Sequence, residues 1–170
     1  RRSITSSGKL AYKFDFNQHR HFVYDLDQPP VEELDLGSTG LDKSYVRPIL
    51  GFELFRDAGA EYSTTFPMRV QRNGQFFSVA WFIEHPDEDY LAHNGLDPEG
   101  AFYKANLNGF TTAAQGGYRT VFEGWDKVTR TWEDNSDIVA FTAGVELTGD
   151  ALVNFLFDNV DIAAQINYMA

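Results

Sequence analysis

Polar and apolar positions alternate most regularly in two stretches. From Lys9 to Phe16, Leu10, Tyr12, Phe14 and Phe16 fall on one side and Lys9, Ala11, Lys13 and Asp15 on the other, the period of a strand with one wet face. From Phe66 the same period recurs, with Phe66, Met68 and Val70 set against Arg69 and Gln71. Asn73-Gly74 follows, two residues that tolerate the positive φ of a tight turn, and then the apolar run Phe76 to Ile83. This pattern predicts a β-hairpin whose second strand is covered on both faces. Val31 to Leu36 alternates too and reads as an edge strand stopped by Gly37-Ser38-Thr39-Gly40, and His21 to Tyr24 reads as a short strand.

Helical spacing appears first between Tyr45 and Ala58, where Val46, Ile49, Leu50, Leu54 and Ala58 share a stripe. Ser44 is placed to cap it, Pro48 lies in the first turn and Gly59 stops it. After the hairpin the chain turns acidic at Glu84-His85-Pro86-Asp87-Glu88-Asp89, and Asp87 to His93 reads as a short helix ended by Asn94-Gly95. Ala101 to Lys104 and Tyr118 to Lys127 read as strands, and Asn106 to Gly117 as a loop. Three amphipathic segments close the chain: Asp137 to Leu147, Asp150 to Val160, and one capped by Asp161. The last is still amphipathic at Ala170, which leads us to expect a larger domain cut within its helical part.

Composition narrows the picture. At 170 residues with 43 % hydrophobic content the chain can form a real core. No run of about 18 apolar residues spans a membrane. A net charge of −11 argues against a nucleic-acid partner. With no cysteine there is no disulfide and no thiolate nucleophile or metal ligand. His19 and His21 share a strand face but lack evident partners for a metal site. Arg1 to Gly8 is a Ser/Gly-rich loop feeding a lysine-bearing strand, a combination that can lie over phosphates or simply be solvated surface.

The order of elements is basic strand, helix, hairpin, acidic hinge, helices. It is the plan of a protein-kinase-like small lobe leading into a helical lobe. Leu41 to Gly59, LDKSYVRPILGFELFRDAG, resembles the L-x-x-S-x-x-R-x-x-L-x-x-x-L-x-x-x-x-G helix of the CotH-like (spore coat protein H) atypical kinases. RVQRNGQFFSVAWFIEHPDEDYL resembles their V-x-x-N-G hairpin followed by E-x-x-D-x-x-(Y/F)-L. GKLAYKFDF resembles their K-K-x-(Y/F)-x-x-x-F strand and GAFYKA their G-x-L-Y-K segment.

The resemblance implies an α+β fold, a twisted antiparallel sheet with one helix over residues 1–104 and a hinge at 84–89, and an incomplete helical lobe over 105–170. It implies transfer of the γ-phosphoryl of ATP, with Mg or Mn, to protein Ser/Thr of coat or surface proteins, at the cell or spore surface. By position Lys9 is the first candidate for the phosphate-contacting lysine and Lys13 the second, with Glu53 as the helix acid that orients the lysine. Glu84, His85 and Asp87 fall at the hinge that meets the base. Arg2, Ser6 and Ser7 fall where the family has an R-G-N-S-S phosphate loop, with Ser3 in place of its glycine. Leu10 replaces the second lysine of the strand, and Ser78 the glycine after the hairpin turn. No catalytic residue is assigned here, because the family's Asp…Asn loop and Asp-x-Asp metal motif are expected after these residues. Two other readings stand beside this one: a relative that keeps the fold without the chemistry, and a sugar-binding or adhesion domain using Trp81, Trp125 and Trp132 as a platform.

Overall fold

The two alternating stretches meet in one antiparallel sheet. A computed structural model describes residues 2–4 (backbone only), 10–17, 19–38, 40, 42–105 and 124–169. Its strands are β1 (Arg2–Ile4), β2 (Leu10–Asp15), β3 (Glu33–Gly37), β4 (Thr65–Arg72) and β5 (Gln75–Glu84), in the order β1-β2-β3-β5-β4. Helix α1 (Arg47–Asp57) lies between β3 and β4 in the chain, and α2 (Glu88–His93) follows β5. The fold is α+β, an antiparallel sheet with a helix, followed by further helices. Contacts group the chain into two compact units, Arg1–Asn94 and Gly95–Ala170.

Register explains the core of the first unit. Tyr12 pairs with Leu36, Leu36 with Phe82 and Phe82 with Phe66, so one row of side chains crosses four strands on the same face. Phe82 is fully buried; its ring stacks on Phe66 at 4.5 Å and meets Tyr24 at 4.9 Å and Phe22 at 6.3 Å between centroids. Val31, Leu34, Leu36 and Ala80 complete this layer. The neighbouring row on the opposite face, Lys13–Asp35–Ile83–Thr65, is mostly polar.

The hairpin turn is the expected one, with Asn73 at φ 53° and Gly74 at φ 77°. Several expectations need correction. Val31 to Leu36 is no edge strand: β3 lies between β2 and β5, because Leu34 and Leu36 carry the core row. His21 to Tyr24 forms only a single bridge, Phe22 to Val31. Ser44 does not cap α1. The capping position is Val46, and Asp42, four residues earlier, holds the helix start: its carboxylate accepts from Arg47 N at 3.0 Å, Ser44 N at 3.0 Å and Ser44 Oγ at 2.5 Å. The inward face of α1 carries Ile49, Phe52 and Phe55, whereas Leu50 and Leu54 are exposed. Burial of β5 on both faces holds only for its second half; Phe76 and Phe77 stand in solvent. Trp81 is buried and donates its indole N–H to Tyr45 O at 3.0 Å, so it belongs to the packing.

In the second unit β6 (Tyr103–Ala105) pairs with β7 (Trp125–Lys127). The predicted loop at Asn106 to Gly117 and the first part of the predicted strand, 118–123, lie outside the described residues. Helices α3 (Ser136–Gly144), α4 (Gly149–Asn159) and α5 (Ile162–Met169) follow as the spacing predicts, with Asp161 accepting from Ala164 N at 3.0 Å. Gly144 is required where α3 meets α4, because a Cβ there would lie 2.0 Å from the Phe155 ring.

Two substitutions test this packing. Phe82→Ala should cost about 3–5 kcal/mol of unfolding free energy, as for other buried aromatic truncations. Gly144→Ala should cost about 1–3 kcal/mol through overpacking against Phe155. Urea unfolding followed by tryptophan fluorescence reads both, and a loss under about 0.5 kcal/mol for Phe82→Ala would mean that the core row is wrongly placed.

Candidate functional site at the end of the hairpin strand

Strand pairing brings Lys13, Glu33, Asp35 and His85 together. Lys13 sits opposite Asp35, Asp15 opposite Glu33, and Asp35 opposite Ile83, so the residue two beyond Ile83 returns to the same face. The Lys13 ammonium lies 2.5 Å from Glu33 Oε2 and 3.9 Å from Asp15. His85 Nδ1 is 2.8 Å from Asp35 Oδ2, and its Nε2 is 3.2 Å from both Lys13 Nζ and Glu33 Oε2. With the ring proton on Nδ1 facing Asp35, Nε2 accepts from Lys13. Two carboxylates, Glu33 and Asp15, thus flank the ammonium, and Asp35 connects to it through His85. Any phosphate reaching Lys13 would share its ammonium with Glu33.

Glu84 turns the other way. It continues the core face beside Leu34 and is 3 % exposed. Its carboxylate accepts from Thr64 N at 2.8 Å and from His93 Nδ1 at 3.0 Å, while His93 Nε2 accepts from Tyr62 OH at 3.1 Å. The Asn94 side chain accepts from Tyr62 N and donates to Tyr62 O. A buried carboxylate is tolerable only when it is this well satisfied. The cluster ties the end of β5 to the segment before β4 and to the end of α2.

Asp87 is taken up by the helix that follows. It is the N-cap of α2 and accepts from Asp89 N at 3.0 Å and Tyr90 N at 3.2 Å. Burial outweighs those bonds and pushes its carboxyl up to about 6. Burial likewise raises the Asp89 carboxyl, and the Tyr90 phenol to about 12.

Glu53 lines a cleft of about 220 Å³ together with Ile49, Phe52, Tyr24, Tyr62 and His93. It therefore sits with the residues around Glu84, while Lys13 takes Glu33 as its acid. Lys9, Ser6 and Ser7 lie outside the described residues, and Arg2 is placed only through its backbone pairing with Tyr12. Of the residues singled out from sequence, Lys13 and His85 come together; Glu53 and Glu84 share another region. Glu33, Asp35, Tyr62 and His93 were not anticipated. The alternation in VEELDL already put Glu33 and Asp35 on one side. Their partner His85 lies 50 residues beyond Asp35, a distance no local pattern spans.

A family model described as CotH kinase protein matches residues 2–170. The chain belongs to the CotH kinase protein family. That membership covers nearly the whole chain and accounts for the order of its elements. No curated protein matches the chain. The family is one of kinases, so the assignment at this level is a phosphotransferase family with spore-coat association in its name.

The raised Asp87 carboxyl makes a pH-dependent prediction. Its folded pKa of about 6 lies above the unfolded value near 3.8. Between those values the folded chain holds more protons than the unfolded one, so stability falls as pH rises through the window. Asp87→Asn keeps a cap acceptor without the buried charge. It should melt higher than the parent at pH 7.5, with the gap closing towards pH 4. A gap that widens on acidification contradicts the assignment.

Proposed function

We propose that the chain is the ATP-binding part of a CotH-family kinase that transfers the γ-phosphoryl of ATP to Ser or Thr of a protein substrate at the cell or spore surface. The observation that carries this reading is the family match over residues 2–170 together with a sheet that delivers Lys13 and the start of the 84–89 hinge, at His85, to one face. In this reading residues 1–104 act as the small lobe and 105–170 begin the helical lobe. Bound Mg-ATP supplies a transferable phosphoryl group whose charge the metal neutralises. The chain supplies positioning. Lys9 contacts the phosphates, with Lys13 as reserve; Arg2, Ser6 and Ser7 form the phosphate loop; the backbone from Glu84 to Asp87 meets the base.

The described residues fit the nucleotide in part. Lys13 offers a cation on a strand face, but one already neutralised by Glu33. Glu33 then does for Lys13 what the resemblance implied for Glu53, which lies with the residues around Glu84. The described residues do not fit the metal: among them no group of three or more His, Asp or Glu is arranged to hold one. The family's Asp…Asn loop and its metal-binding Asp-x-Asp are expected to follow α5, so neither role is assigned to these residues. We therefore infer that these 170 residues bind nucleotide without transferring phosphate. The alternative is a non-catalytic relative, which Ser3, Leu10 and the occupied Lys13 favour.

Thermal shift separates the two. At about 100 times its Kd, Mg-ATP should add about 2.7 kcal/mol of stability. Lys9→Ala should abolish that shift and leave the melting temperature without nucleotide nearly unchanged. A shift retained in Lys9→Ala but lost in Lys13→Ala moves the role to Lys13. No Mg-ATP shift in the parent chain rejects the nucleotide reading, and γ-phosphate incorporation by the 170 residues alone rejects the inference of inactivity.

A further inference from the structure

Between Glu61 and Glu84 the sequence contains no acidic residue, although the protein carries a net charge of −11. The two cations of that stretch, Arg69 and Arg72, lie on β4, the last strand of the sheet, towards the tip of the hairpin. Every residue from Gln71 to Phe77 is exposed. Phe76 and Phe77 are 59 % and 41 % exposed. The Arg69 guanidinium lies 5.6 Å from the centre of the Phe76 ring, and that of Arg72 lies 5.1 Å from the centre of Phe77. Arg47, Arg56 and Arg130 each face a carboxylate. Among the described residues Arg69 and Arg72 have no such partner.

Some of this belongs to edge protection. Pro67, the register shift between Val70 and Gln71, and charged side chains all discourage another strand from pairing with β4. Edge protection does not call for two exposed phenylalanines, which cost apolar exposure at a tip that the fold does not need to cover. Stacked on a ring, a guanidinium is pre-oriented and keeps its N–H edge free for a carboxylate. The ring beside it offers an apolar contact. The pair of stacks therefore reads two localised negative charges with apolar neighbours. A long polyanion or an anionic membrane would extend past the tip and meet a chain of net charge −11, a repulsion that screening over about 8–10 Å hides only in part.

We propose that the tip of the β4–β5 hairpin is a docking surface for an acidic segment of a partner protein, with carboxylates on Arg69 and Arg72 and apolar side chains against Phe76 and Phe77. This does not depend on the nucleotide reading, because it uses none of those residues. The test is fluorescence anisotropy with a labelled twelve-residue peptide alternating Asp or Glu with Leu or Phe, titrated with the intact chain at low and at physiological salt. Binding should be salt-sensitive and weaken about tenfold or more in Arg69→Glu/Arg72→Glu. It should also weaken in Phe76→Ser/Phe77→Ser and be unaffected by Arg47→Glu. Because all four positions are exposed, unchanged melting temperatures would confirm that the variants fold. The proposal is overturned if the acidic peptide does not bind, or if the arginine variants bind it as well as the parent. It is also overturned if oligonucleotide or anionic vesicles bind at this tip more tightly than the peptide, or if salt-sensitive self-association of the chain accounts for the tip's use.

Discussion

The complete burial of Phe82 sets the terms for everything around it in the first unit. Its ring has to be covered by Phe66 from the neighbouring strand and by Tyr24 and Phe22 from the segment that crosses the sheet. Because side chains alternate along a strand, this one placement sends Ala80 and Glu84 to the same side and Trp81, Ile83 and His85 to the other. Packing of an apolar residue thereby decides which polar groups at the strand end face the core and which face the lysine of β2.

Two charged clusters result, and they differ in kind. Around Glu84 the carboxylate is nearly inaccessible and its acceptor capacity is taken by Thr64 and His93. Such a group holds structure together, since removing one partner leaves a buried charge unsatisfied. Around Lys13 the side chains are partly open, with that of Lys13 28 % exposed and that of Glu33 29 %. An open cluster with exchangeable partners can rearrange at modest cost. Glu84 and His85, adjacent in sequence, thus divide between holding the fold and facing the lysine.

The same strand pair changes character along its length. Near Glu84 the β5 strand is flanked by β3 and β4 and is buried; towards the turn β3 has ended, and among the described strands β4 remains beside it. The tip is exposed, and its arginines and phenylalanines stack on one another there. In the second unit, Lys127 plays a different part. Its ammonium donates to Asp134 O at 2.7 Å and lies over the Tyr103 ring. Tyr103 in turn hydrogen-bonds Asp137, and burial drives its phenol well above the ordinary range. The strand pair β6–β7 is anchored to the start of α3 by these contacts.

Periodicity alone determined the existence of β2, the Asn73-Gly74 hairpin, α2 with its Asp87 cap and the three closing helices, because each is specified by residues close together in the chain. The motifs also sufficed to point to the kinase family. What local pattern could not decide was the place of each element in the sheet. VEELDL has the same alternation at an edge or in the middle, and only pairing with both β2 and β5 puts Leu34 and Leu36 in the core. The stripe on α1 is right at Ile49 and wrong at two leucines for the same reason: Ile49 and Phe52 line the cleft with Tyr24 and Tyr62, whereas Leu50 and Leu54 meet solvent. The partners of Lys13 and Glu84 likewise come from strands and helices far along the chain. Spacing tells which residues share a face; only tertiary pairing decides what that face meets.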